Sequence, residues 1–93
     1  MKTPAILSVL GDDRVGIVAA VSRVLAESQA NIEDIRQTIL SGVFSMTMIV
    51  SVDEEATPFE EVQRRLAALA ENELAGLQIT LQREDVFRYM HRI

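Results

Sequence analysis

The residues best placed to do chemistry in this chain stand in one short run, Gly11-Asp12-Asp13-Arg14-Val15-Gly16, with Asn31 fifteen positions further on. Two carboxylates and two glycines beside the start of a helix suit a small zwitterion. Helix-start amides donate to its carboxylate, while its ammonium pairs with Asp13 or with a backbone carbonyl. Gly16 would let a ligand approach the backbone, and the Asn31 amide both donates and accepts. The same residues have a plainer reading. Asp12 or Asp13 is then an N-cap, Gly16 a tight helix entry, and Asn31 a turn residue tolerating a left-handed backbone.

Other chemistries find less support in the residue types. The 93 residues contain no cysteine and one histidine, His91, so thiolate catalysis, disulfides and the usual zinc sites are not expected. Asp53-Glu54-Glu55 lacks the spacing of a calcium loop and reads as a solvated acidic turn. No nucleophile elbow surrounds a serine, and two aspartates in the first loop oppose a phosphate. No catalytic residues, metal or cofactor are expected.

The elements that must carry the loop follow from periodicity. Ala5 to Leu10, between Pro4 and Gly11, reads as a buried strand. From Val15 the apolar positions Ile17, Val18, Val21, Val24 and Leu25 take helical spacing, ending near Ser28 to Ala30. Ile35, Gln37 and Ile39 then alternate with Asp34, Arg36 and Thr38, and Ile32 falls out of phase, which predicts a bulge. Ser41-Gly42 is a hairpin signal, followed by the alternating strand Phe44 to Val52, with Met46 and Met48 as packing residues. Thr57-Pro58-Phe59-Glu60 reads as a capping box with proline at the first helical position. Phe59, Val62, Leu66 and Leu69 line that helix, with Glu60–Arg64 and Glu61–Arg65 pairs on its wet side. Leu77, Ile79 and Leu81 alternate in a fourth strand, and Val86, Tyr89 or Met90, and Ile93 repeat as a short helical tail.

The order βαββαβ predicts an α+β, ferredoxin-like fold. Its four-stranded antiparallel sheet carries both helices on one face, leaving the other to water or a partner. One domain over residues 1–93 is expected, with a core at 5–82 and a tail at 83–93. Chains this short remove only about 60 to 65% of their unfolded surface from water, so self-association would add burial. A net charge of -5 argues against nucleic acid, whose affinity rests on Lys and Arg. With only Phe44 on the central strands, an aromatic RNA platform is missing as well. No apolar run approaches the ~20 residues of a membrane span, and Met1-Lys2-Thr3-Pro4 leads into a strand, so a cytoplasmic location is expected.

The run Gly11 to Val18, the helix to Leu25, and Asn31-Ile32 resemble the ACT domain, a βαββαβ regulatory module, over Ala5 to Gln82. The resemblance implies a non-catalytic domain that binds an amino acid between subunits. Its ligand positions fall on Asp12, Asp13 and Gly16 in the first loop and on Asn31 at the start of the second strand. This sequence departs at Val15, where many members have proline, and at Asp13, where some amino-acid-binding members have asparagine. The tail, Phe87 and Met90-His91-Arg92-Ile93, is similar to small stand-alone ACT-domain proteins of unassigned function. The expectation is a homodimeric sensor of an amino-acid-like ligand that acts through a partner or through oligomer state. The alternative is a pure dimerisation or protein-interaction module, with Phe87, Tyr89, Met90 and Ile93 as its contact patch.

Overall fold

The computed structural model describes residues 2–90; His91 and the Ile93 end of the tail repeat lie outside them. The elements are β1 (Lys2–Asp12), α1 (Ile17–Glu27), β2 (Ala30–Leu40), β3 (Val43–Asp53), α2 (Phe59–Asn72), β4 (Gln78–Arg83) and α3 (Glu84–Met90). All pairings are antiparallel, and the sheet order is β2-β3-β1-β4. This is the expected α+β, ferredoxin-like βαββαβ arrangement with a third, short helix. β1 is longer than Ala5 to Leu10, because Pro4 lies where β1 pairs only with β3.

Strand alternation decides where the core sits. Rows such as Val9↔Met46 and Leu7↔Met48 put Ala5, Leu7 and Val9 on one sheet face with Phe44, Met46, Met48, Val50 and Val52. Against that face pack Ile17, Val21, Val24 and Leu25 of α1 and Phe59, Val62, Leu66 and Leu69 of α2, all buried. Each such large side chain contributes about 1.5 to 3 kcal/mol through burial. The opposite face is mostly Ser, Thr and Gln. Its one buried large residue, Ile6, is 7% exposed, because α3 folds back there and the Gln82 amide reaches Met90 Sδ at 3.4 Å.

Several local expectations are corrected. No capping box forms at α2: Pro58 itself is the N-cap residue, without a side-chain bond, and Thr57 is buried. Glu60 does not pair with Arg64 but lies 3.8 Å from Arg83, while Glu61 takes both Arg64 and Arg65, at 2.5 and 2.9 Å. Hydrogen bonds from these two guanidinium groups lower the Glu61 pKa to about 2. Asp53-Glu54-Glu55 is an ordered turn rather than a loosely solvated one. Asp53 accepts from the backbone N–H groups of Glu55, Ala56 and Thr57, and Glu54 holds Thr3 and Arg83.

Gly11 locks the first loop onto the α2–β4 connection. A Cβ built there would stand 2.5 Å from Leu77 Cδ2 and 2.8 Å from Gly76 O. The carbonyl cannot move aside as a side chain could, so Gly11→Ala should lose about 1 to 3 kcal/mol of stability through overpacking. A denaturant melt showing no loss would refute this close contact.

Candidate functional site

The first loop is built from the end of β1 and the start of α1. Asp12 is the last residue of β1, opposite Val43, and residues 12–16 are all exposed, with Val15 fully so. Two bonds fix the loop. The Asp13 backbone N–H donates to Gly42 O at 2.9 Å, and Arg14 Nη2 donates to Ala75 O at 2.5 Å. The loop is therefore tied to the β2–β3 hairpin on one side and to the α2–β4 connection on the other. Neither anchor is visible in the sequence, since both acceptors are backbone carbonyls far along the chain.

The expected cap on α1 is absent. Gly16 is the N-cap, with φ 92°, and neither Asp12 nor Asp13 bonds to the helix start. Ala20 N–H is bonded to Gly16 O, so the first-turn amides of Ile17, Val18 and Ala19 lie ahead of the helical ladder. Gly16 is required by its left-handed backbone and not by crowding, for nothing lies within 4 Å of a Cβ built on it. Among the described residues the Asp12 and Asp13 carboxylates make no hydrogen bond or ion pair. The loop thus combines donors without side-chain partners, two unpaired carboxylates and open space above Gly16.

Asn31 is elsewhere. It pairs with Ser51, whereas Asp12 pairs with Val43, so the two stand eight residues apart along β3, about 27 Å at strand rise. Within one chain the predicted site residues are not brought together. Asn31 Nδ2 donates to Glu33 Oε2 at 2.8 Å, and Ser51 Oγ donates to the same oxygen at 3.0 Å. These two hydrogen bonds, Asn31 first, hold the Glu33 carboxyl below its usual range. The predicted bulge places Glu33 there: register shifts between Ile32 and Asp34, making Glu33 the extra residue.

A groove of about 710 Å³ lies along α2 and the outer edge of β4, between Ala67, Ala70 and Glu71 and the stretch Ala75 to Thr80. It meets the first loop where Arg14 reaches Ala75 and where Gly11 packs against Gly76 and Leu77. Its lining offers Glu71 as the sole charged group, so the chemistry of the loop, not this volume, marks the candidate site. Among the described residues no helix is long and apolar enough to cross a membrane.

Comparison with known proteins bears on this geometry. The family model for the ACT domain matches residues 3–82. A UPF0237 protein of Methanocaldococcus jannaschii is 46% identical over 88 residues, covering 95% of this chain and 96% of the relative. The solved ACT domain protein from Streptococcus pneumoniae superposes with a TM-score of 0.77 at 36% identity, over 94% of this chain and 96% of its own. The ligand-free regulatory subunit of aspartate kinase from Thermus thermophilus shares the fold, with a TM-score of 0.66 at 23% identity over 86% of this chain and 50% of its own. ACT domains are regulatory and often bind ligands. With its whole βαββαβ core matched in order and in sequence, this chain belongs to the ACT domain family.

Proposed function

We propose that this chain is a non-catalytic, cytoplasmic regulatory domain that binds a small amino-acid-like ligand at the seam of a homodimer. The observation that carries the reading is the first loop. Its uncapped α1 amides, unpaired Asp12 and Asp13 carboxylates and open space over Gly16 answer both charges of a zwitterion. The ligand carboxylate takes the amides, and its ammonium takes Asp13. The partner's Asn31 would complete the site, since a two-fold axis running through the β2 edge exchanges the two ends of that strand.

Ligand binding at such a seam stabilises the dimer by mass action, about 2.7 kcal/mol at a hundredfold excess over Kd. A thermal-shift screen over the common amino acids should give one or a few stabilisers, and Asn31→Ala and Gly16→Val should each abolish the effect. Silence from every amino acid and related metabolite would sink the sensor reading and leave a ligand-free dimerisation module, for which the exposed Tyr89 and Met90 of α3 speak.

The Asn31 amide cannot serve the ligand and Glu33 with the same hydrogens. A ligand that takes the Nδ2 hydrogen now given to Glu33 should release that carboxyl, whose pKa should rise toward the ordinary carboxylate value, as it should in Asn31→Ala without ligand. A lowered folded-state pKa contributes stability above the unfolded value that is lost as pH falls through the folded one. The stability gap between the natural chain and Asn31→Ala should accordingly close as pH drops below the ordinary glutamate range. Carboxyl-detected NMR titration reads both effects, and a Glu33 midpoint unmoved by the substitution would contradict them.

A further inference from the structure

The outer edge of β4 is closed at both ends by the chain's own groups and open between them. Leu77 N–H, just before the strand, donates to Leu74 O at 3.0 Å, and Leu81 O accepts from Gln63 Nε2 at 2.7 Å. In an antiparallel pair only alternate residues exchange hydrogen bonds with the neighbouring strand. Both of these bonds run to α2 or its connection, away from β1, so Leu77, Ile79 and Leu81 are the residues whose backbone groups turn outward. Between the two closures stand Leu77 O, the N–H and C=O of Ile79, and Leu81 N–H. Among the described residues none of these four groups has a partner in the chain. Unpaired strand edges are templates for another strand, and this one is a short window.

The groove of about 710 Å³ runs beside this window. Its wall on α2 is Ala67 and Ala70, which leave room for a large side chain, and Glu71, which among the described residues makes no hydrogen bond or ion pair. We propose that window and groove together take an extended segment of a partner protein as a fifth strand, antiparallel to β4, with an apolar residue at its centre and a basic residue two positions later. In strand addition the backbone supplies affinity and alternate side chains supply specificity. The central residue, opposite Ile79, exchanges both bonds with it, and the residues two positions before and after meet Leu81 N–H and Leu77 O. Opposed residues share a sheet face, and Ile79 pairs with the buried Val9, so the central side chain enters on the helix-bearing side, against Ala67 and Ala70.

The basic position follows from how α2 runs along β4. From Gln63, bonded at Leu81, eight residues of helix rise cover about 12 Å while four residues of strand cover about 13 Å, so Glu71 comes level with Leu77. The segment's cation stops at Glu71, for beyond it stands Arg14, held on Ala75 O. A net charge of -5 on this chain attracts a basic segment and repels another copy. On the seam reading a second copy already sits at the β2 edge, and the same pairing at β4 would add copies at both edges without closing the assembly. The choice of a different protein as occupant rests on that reading, whereas the window and its chemistry stand without it.

The probes are acetylated, amidated seven-residue peptides with Leu or Phe at the centre, Lys, Ala or Glu two positions later, and Thr elsewhere. Titrated into the isotope-labelled chain with no amino acid present, the Lys peptides should shift the Ile79 and Leu81 amide signals and slow their hydrogen exchange. They should bind at least tenfold tighter than the Glu peptides. N-methylation of the central peptide residue, which removes one bond to Ile79 and keeps the side chain, should weaken binding by about tenfold. Ala67→Arg, at an exposed helical position, should abolish binding with the circular dichroism spectrum unchanged, and Glu71→Lys should turn the preference toward the Glu peptides. Silence from every peptide at millimolar concentration, shifts confined to other surfaces, or indifference to N-methylation would overturn the proposal. So would concentration-dependent shifts of Ile79 and Leu81 with no peptide present, which would put a second copy at this edge. Peptide binding beside a thermal-shift screen in which no amino acid stabilises the chain would sink the sensor reading alone.

Discussion

Everything in this molecule hangs on the unbroken antiparallel ladder between β1 and β3, which runs from Lys2↔Asp53 to Asp12↔Val43. It is the centre of the sheet, and one of its faces is buried along nearly its whole length. Because side chains alternate, a slip of one residue would turn Leu7, Val9, Met46 and Met48 out of the core, so the register is held by the hydrophobic effect itself. The ladder then fixes what lies at each end. The first loop, the β2–β3 hairpin and the α2–β4 connection meet at one end, and Asn31 with the acidic turn sits at the other. The distance between the loop and Asn31 is thus a consequence of core packing, and no local rearrangement of one chain can remove it.

The bulge at Glu33 is the second constraint. An extra residue on β2 shifts the facing pattern by one, so Ala30 and Ile32 point to the helices before it and Ile35, Gln37 and Ile39 after it. Without it the later isoleucines would face the polar side of the sheet. The same irregularity brings Glu33 against Asn31 and Ser51, where the carboxylate accepts two hydrogen bonds and has its pKa lowered. One inserted residue therefore sets both the apolar character of the open edge and the resting partner of Asn31.

Periodicity was legible because burial imposes it. The alternation from Phe44 to Val52, the Phe59, Val62, Leu66 and Leu69 stripe, the hairpin at Ser41-Gly42 and the phase slip at Ile32 all record which side chains leave water. The start of α2 at Phe59 is legible, but the capping of both helices is not. Asp13 is an excellent N-cap by type, but its backbone N–H is committed to Gly42 O, a long-range bond that leaves the helix to begin at Gly16. Glu60 and Arg64 have the right spacing, yet Arg83, stacked 4.2 Å over Phe59, and the Glu61 carboxylate lie nearer to hand. Residue type and resemblance point to Asp12, Asp13, Gly16 and Asn31, and their separation appears only once strand register is known. What sequence lacks in each case is the identity of the competitor across the sheet.

The charge balance of the loop decides what kind of molecule suits it. A helix start attracts a negative group by about 0.3 to 1 kcal/mol at an exposed position. A like charge about 4 Å away costs about 1 kcal/mol even in bulk water, and several times that where protein lowers the dielectric. With Asp12 and Asp13 both unpaired, a simple anion loses more to the carboxylates than it gains from the helix end. A zwitterion reverses the sign of that term, because its ammonium turns at least one carboxylate from repulsive to attractive while the amides keep the carboxylate end. Asparagine at position 13 would remove the repulsion and the attraction together. On the proposed reading the aspartate would make the loop select a ligand that carries its own positive charge, a preference set by the loop's own charges.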